Sequence, residues 1–322
     1  MTVPEGMSLT PKRVGLGISI EHDRIIALQA DISPKGVLVE VVDEQILPPG
    51  ALAEGVVKDL AGVVDSFREL KKRAKLSAEG AAINLPGHFY TLKKFETPPG
   101  YFSNENGTLD WEMQQHLTGS ISDYCISHVV AGQGEKGENN VVVAARLAPL
   151  DERAGLLLNF GLSVYAVEPG ILSINNGLAA AFGDLPDERV LLVDISAPYC
   201  TFALLINGVF MPGGVFYTPH DLVSGHPENA LQELAQDLEA SFNSFYAIEG
   251  YSMTGRRPGL MVVAGRFADA NVADKLAAVS GIPVFKGDLF AGGLVKSKLK
   301  NTGIPWQRLV KPLGLALRAP NV

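Results

Sequence analysis

The sequence predicts an α/β protein of two lobes, each a mixed sheet built on a duplicated strand–strand–strand–helix–strand core, with a small α/β insert in the first lobe. Three observations carry this. The same order of elements occurs twice, the second copy about 175 residues after the first. Each copy opens on three strands before its first helix, whereas a doubly wound parallel fold alternates strand and helix from the start, so each sheet must mix parallel and antiparallel pairs. The chain has 322 residues, 47% of them hydrophobic and 19% charged, which is too long for one ordinary domain and apolar enough to bury two cores.

In the first copy, residues 14–20 and 24–30 read as strands around the turn Glu21-His22-Asp23, and Pro34-Lys35-Gly36 turns into a third strand over 37–42. A helix is expected over 56–74, because Leu60, Val63, Val64, Phe67, Leu70 and Ala74 fall on one face at helical spacing. Residues 81–85 form the next strand, ended by Pro86-Gly87. The insert follows: strands at 92–95, 127–131 and 140–145, a helix at 109–117, and a polar loop over 132–139. A helix at 150–159, a strand at 163–167 and a helix at 171–182 lead to the polar linker 183–188.

The second copy has strands at 189–195 and 199–206, then Asn207-Gly208, a strong two-residue hairpin signal. A third strand is expected over 209–217. An amphipathic helix follows, with Leu231, Leu234, Leu238, Phe242 and Phe245 on its apolar face, then a strand at 260–264, a helix at 269–279 and a strand at 283–285. The resulting division is a first lobe of residues 1–87 and 148–184, an insert of 88–147 and a second lobe of 185–322.

Composition narrows the function. A net charge of −8 argues against a nucleic-acid partner, which needs a basic face. The two cysteines, Cys125 and Cys200, sit in no CxxC, and the six histidines show no metal spacing, so two reduced thiols and no metal are expected. The first residues lack the apolar stretch of a signal peptide, and no run approaches the roughly 20 apolar residues that span a bilayer. The expectation is a cytoplasmic protein without direct membrane insertion; self-association is left open.

Two facing βββα lobes resemble the actin, Hsp70 and hexokinase superfamily, whose lobes are ribonuclease H-like. The resemblance implies a phosphate-holding hairpin in each lobe, of the pattern Asp-x-Gly-x-Thr/Ser, where glycines admit backbone N–H groups to phosphate oxygens and the acid holds Mg²⁺ through water. In the first lobe Gly17 stands in the Asp place and Ser19 in the Gly place. In the second, Asp194 is kept, Ser196 again replaces Gly, and Pro198-Tyr199 follows. The adenosine-seating element would be Val262-Val263-Ala264-Gly265-Arg266-Phe267, with one glycine and a bulky pair after it. Each stretch also reads as an ordinary hairpin or strand-to-helix turn.

Within that superfamily the chain resembles type IV pilus assembly protein PilM and the cytoplasmic actin-like part of the type II secretion protein GspL. The carrying residues are Ala82-Ile83-Asn84-Leu85-Pro86-Gly87, Trp111–Leu117 before Ile121-Ser122-Asp123-Tyr124, Val142-Val143-Ala144-Ala145-Arg146, Phe160-Gly161-Leu162 with Val167-Glu168, Gly281-Ile282-Pro283-Val284 and Gly314-Leu315-Ala316-Leu317-Arg318. Gly213-Gly214 matches the family's Gly pair, but the long helical stretch that follows in the family is shortened to residues 215–229. The resemblance therefore implies a degenerate nucleotide site, with Gly17, Ser19, Asp194, Ser196, Gly213, Gly214, Gly265 and Arg266 as its vestiges. No catalytic residue and no cofactor are expected, ATP and Mg²⁺ being doubtful. It also implies a scaffold of a pilus or secretion machine, peripheral to the inner membrane, that holds the cytoplasmic tail of an inner-membrane protein in a groove beside the insert. An active ATPase or small-molecule kinase of the same fold, or a filament-forming actin homologue, are the alternatives.

Overall fold

The computed structural model describes residues 13–103, 108–134, 137–183, 185–248, 257–291, 293–299 and 302–319. The N-terminal stretch read for a signal peptide, Asp184 of the linker, part of the 132–139 loop and the last three residues lie outside the described residues.

Strands β1 (Arg13–Glu21), β2 (Arg24–Ser33) and β3 (Gly36–Ile46) form an antiparallel meander. A short ladder of β4 (Leu52–Ala53) and β5 (Val56–Val57) leads into α1 (Leu60–Ala74). The helix starts four residues later than its apolar periodicity suggests, because Asp59 caps it: its Oδ1 accepts the Gly62 N–H at 2.9 Å. Strand β6 (Gly80–Leu85) then returns parallel to β1.

The insert is an antiparallel sheet of β7 (Tyr90–Thr97), β8 (Tyr124–Gln133) and β9 (Glu138–Arg146) in the order β7-β9-β8, with α2 (Thr108–Gln114) against one face. Helix α2 is shorter than the expected 109–117 because the Gln114 side chain turns back onto the next loop. It donates to the Gly119 carbonyl at 3.2 Å and accepts the Ile121 N–H at 3.1 Å. Helix α3 (Leu147–Asn159), strand β10 (Ser163–Pro169), which pairs parallel with β6, and helix α4 (Gly170–Phe182) follow.

The second copy repeats this pairing. β11 (Arg189–Asp194) lies antiparallel to β12 (Tyr199–Ile206) and parallel to β15 (Leu260–Ala264). The expected strand over 209–217 is instead two, β13 (Val209–Met211) and β14 (Val215–Tyr217), both paired with β12. Pro212 between them has no N–H to donate, and Gly213 presses so close to β12 that a Cβ there would lie 1.9 Å from the Phe202 carbonyl oxygen. Between β14 and α6 (Pro227–Ile248) there is only the four-residue helix α5 (His220–Val223). Helix α7 (Ala270–Ser280) follows β15, and the strand expected over 283–285 amounts to a single bridge from Val284 to Met261.

The chain then leaves the second sheet. β16 (Val295–Ser297) pairs parallel with β3 and completes a six-stranded first sheet in the order β10-β6-β1-β2-β3-β16. Residues 185–322 are thus not confined to the second sheet, because the open edge of β3 takes its hydrogen-bond partners from this late segment. The Val37 N–H donates to the Leu294 carbonyl and the Lys298 N–H to the Val39 carbonyl. Helix α8 (Trp306–Ala316) ends the described fold. Its Pro312 disguises it in the sequence, yet Leu309, Val310, Leu313, Leu315 and Ala316 are all fully buried.

The main core lies between the two sheets, where α4 and α8 are sandwiched against β2, β11 and β15. The outer face of the first sheet packs on α1 and α3, and that of the second on α6 and α7. Among the described residues, no helix is long and apolar enough to cross a membrane.

Candidate interlobe site

Strands β1, β6, β11 and β15 all point their carboxyl ends toward the junction between the sheets, the place where open α/β sheets bind ligands. β1 ends there on Glu21 and β11 on Asp194. Between them stands the side chain of Lys311, which enters from α8. The helix is held by direct backbone approach. A Cβ on Gly17 of β1 would lie 1.9 Å from the Pro312 carbonyl oxygen, and one on Gly15 would lie 2.1 Å from that of Ala316. On its other side, a Cβ on Gly314 would lie 1.8 Å from the Ser173 carbonyl oxygen of α4. Both approaches rigidly set where the ammonium goes.

The Lys311 Nζ lies 2.8 and 3.0 Å from the two Asp194 carboxylate oxygens, pairs with Glu21 Oε1 and is 3.5 Å from Ser196 Oγ. All three charged side chains are under a tenth exposed: Lys311 3%, Glu21 9%, Asp194 7%. Ser19 donates to Glu21 Oε1 at 2.7 Å. The Ser196 hydroxyl lies 2.6 Å from Glu21 Oε2 and 2.8 Å from Asp194 Oδ1; having one proton, it donates to one of them. Asn84 Oδ1 accepts the Ile20 N–H at 2.9 Å, which fixes the end of β1.

Two carboxylates thus share one ammonium in a buried space. Burial works to raise Glu21, but Lys311 outweighs it and holds this carboxyl below its usual range. Burial pushes Asp194 up, and although Lys311 pulls it down, the neighbouring charge of Glu21 adds to the rise. Burial opposes the ammonium of Lys311, yet the two acids more than compensate and raise its pKa.

A second tie crosses the junction beside the first. Asp23, in the β1–β2 turn, accepts from Arg266 Nε at 2.7 Å and NH2 at 3.0 Å, and also pairs with Arg24. Burial would raise the Asp23 carboxyl, but the hydrogen bonds from Arg266 and Arg24 bring it well below the usual carboxylate range. The cavity left at the junction measures about 20 Å³ and is bordered by Glu21, Asn84, Pro86, Asp194, Tyr199 and Lys311 among others. That is room for about one water, far from the several hundred Å³ of a small-molecule site.

The structure brings Ser19, Asp194 and Ser196 together here. Gly265 belongs to the same site: its φ is +105°, and a Cβ there would lie 2.3 Å from Asp194 Oδ1. Arg266 turns away to Asp23. Gly17 lies under α8, where its backbone faces the helix. Gly213 and Gly214 sit elsewhere, beside a depression of about 250 Å³ lined by Gly87, Lys93 and Phe245. Sequence reasoning missed Glu21 and Lys311. The signal for Lys311 was a lone lysine between Val310 and Pro312, inside the otherwise uncharged run 309–317.

A larger groove of about 430 Å³ runs between the insert and the first sheet. One wall is the face of β8 and β9 that carries Ser127, Val129 and Val143; the other is β10 with Leu172 and Asn176 of α4. β10 is an edge strand, and Val129 is 59% exposed. At the floor, the buried Glu168 accepts from Asn176 at 3.0 Å and lies 3.7 Å from Arg318. Burial pushes its carboxyl up despite these partners.

The family described as type IV pilus assembly protein PilM matches residues 15–212, more than half of the chain. The chain belongs to the PilM family. Among solved structures, it is similar to a PilM-PilN type IV pilus biogenesis complex, with 17% identity over 96% of this chain and 99% of the other and a TM-score of 0.77. It is also similar to the ethanolamine utilization protein EutJ from Carboxydothermus hydrogenoformans, with 12% identity over 95% and 90% and a TM-score of 0.51. A third similarity is to the cytoplasmic domain of EpsL, an inner-membrane component of the type II secretion system of Vibrio cholerae, with 12% identity over 95% and 95% and a TM-score of 0.49. At these identities the first two likenesses show the fold alone, the actin-like fold of this PilM-family chain.

Proposed function

We propose that this PilM-family protein is a non-catalytic scaffold of a type IV pilus or type II secretion assembly, lying at the cytoplasmic face of the inner membrane and holding the tail of a membrane partner. The observation that carries the non-catalytic reading is the ion-paired junction. A nucleoside triphosphate needs a cation at its phosphates and open backbone N–H groups around them. Here the cation is a side chain of the protein, the acids are already paired, and about 20 Å³ remains. On this reading Ser19, Asp194, Ser196 and Gly265 are vestiges of a nucleotide site, reused to join the lobes.

The docking half of the proposal draws on the groove beside the insert. Its β10 edge offers main-chain groups to an extended segment, and its alternating β8 face offers side-chain contacts, the two needs of strand addition. That a similar solved structure is a PilM-PilN type IV pilus biogenesis complex supports a pilus-assembly partner as the occupant.

The test pairs two titrations. Calorimetry with Mg-ATP should give no binding heat up to millimolar nucleotide and no phosphate release. A fluorescent peptide from the cytoplasmic tail of a genetically neighbouring membrane protein should bind, and Val129→Asp in the groove wall should weaken it at least tenfold. Micromolar Mg-ATP affinity with phosphate release that vanishes in Asp194→Asn would restore the ATPase.

A further inference from the structure

Glu21 and Asp194 meet Lys311 from three elements that are distant in sequence. β1 belongs to the first sheet, β11 to the second, and α8 lies between them. Every contact in this triad therefore spans the junction. The donor set is also specific in kind. Three carboxylate oxygens and the Ser196 hydroxyl surround the ammonium; the fourth oxygen, Glu21 Oε2, is held by Ser196, and Ser19 braces Glu21 Oε1. Hard oxygen donors carrying two negative charges are what a divalent cation requires. An ammonium supplies only one positive charge, so the cage keeps a net charge of −1. The occupant is tethered to the protein, and Gly15, Gly17 and Gly314 prevent α8 from drifting away with it.

We propose that Lys311 is a built-in substitute for a divalent cation: its ammonium holds the two lobes at one fixed closure without any ligand, and the cage around it is itself a cation site. The inference goes beyond the scaffold reading and rests on one part of it, that the junction holds no nucleotide. Its consequence is that lobe closure is constitutive. An actin-like protein that closes on nucleotide can be switched, whereas one closed by its own lysine presents the groove beside the insert in a single geometry. The Arg266–Asp23 pair acts in the same sense at the neighbouring turn.

The test uses the full chain and three proteins: wild type, Lys311→Met, and the triple variant Glu21→Gln/Asp194→Asn/Lys311→Met. Each is melted in MgCl2, in MnCl2 and in NaCl of matched ionic strength, with small-angle scattering in parallel. Wild type should be indifferent to the divalent ions. Lys311→Met leaves two buried carboxylates unneutralised and should melt roughly 10 °C lower in NaCl, with a larger radius of gyration. Mg²⁺ or Mn²⁺ should restore both toward wild type, and the triple variant should be near wild type and metal-indifferent. Lys311→Met that melts with wild type, or that is destabilised yet responds to divalent ions no more than to NaCl, overturns the proposal. If Lys311→Met yields no folded protein, the triple variant decides. A folded, metal-indifferent triple variant supports the charge argument, and one equally unable to fold overturns it, since Lys311 would then be needed for packing. Calorimetry of wild type with Mg-ATP checks the nucleotide reading separately.

Discussion

Gly314→Ala tests whether the contact between α4 and α8 sets the junction. Considered as a helix alone, α8 should gain from the change, because alanine is favoured over glycine in a helix interior by about 1 kcal/mol. The tertiary structure predicts the opposite. The new Cβ would lie 1.8 Å from the Ser173 carbonyl oxygen and 2.7 Å from its carbon, both backbone atoms that no rotamer change can move. Real Cβ contacts essentially never fall below 3.0 Å, so the helices must part by at least 1.2 Å, the difference between the two distances. Lys311 is one turn away on the same helix, and a shift of that size takes its ammonium out of hydrogen-bond range of Asp194, now at 2.8 and 3.0 Å. Overpacking of this kind costs about 1–3 kcal/mol, more if the ion pairs are also lost. Urea unfolding should show the midpoint falling at an unchanged slope. Gly155→Ala in α3 is the control: a Cβ there meets nothing within 4 Å, so the intrinsic helix gain should appear as a small stabilisation. Gly314→Ala as stable as wild type would refute the view that backbone contact fixes α8 and its lysine.

Two further outcomes follow from the same structure. The thiol of Cys200 is buried and burial pushes it up to about 12, whereas Cys125 is exposed; a thiol reagent such as DTNB should therefore titrate one cysteine in the native protein and the second only on unfolding. Asp23 is depressed below its ordinary 3.8 by Arg266 and Arg24, against burial, so its contribution to stability is present above that pH and is lost as pH falls through the lower folded-state value; the stability gap between wild type and Asp23→Asn, followed by urea unfolding from neutral pH downward, should be constant to about pH 5 and close below it.

Much of the architecture was legible in the residues. Alternation and turn chemistry placed β1, β2 and β3 around Glu21-His22-Asp23 and Pro34-Lys35-Gly36, and the same grammar at Asn207-Gly208 found the second copy. These are local signals, governed by the two-residue period of a strand and the 3.6-residue period of a helix. They were weaker where one residue overrode the pattern. Pro212 split a strand that apolarity alone would continue, and Asp59 moved the start of α1 past two residues that pair as β5. α8 was hidden for a related reason: its internal Pro312 speaks against a helix, although its apolar residues recur at helical spacing.

By itself the sequence determined the duplicated strand order, the mixed sheets and the insert. Only the tertiary structure decided what fills the place between the lobes. Lys311 lies 117 residues from Asp194 and 290 from Glu21, and no periodicity links residues so far apart. Their meeting depends on how closely α8 approaches β1 and α4, which glycines 15, 17 and 314 allow and which is a matter of backbone contact in three dimensions. A lone lysine in an apolar helix and a glutamate in a hairpin turn carry no mark of each other. Burial makes them partners, because a charge removed from water must be met by an opposite one, and the packed helices leave each of them no other choice.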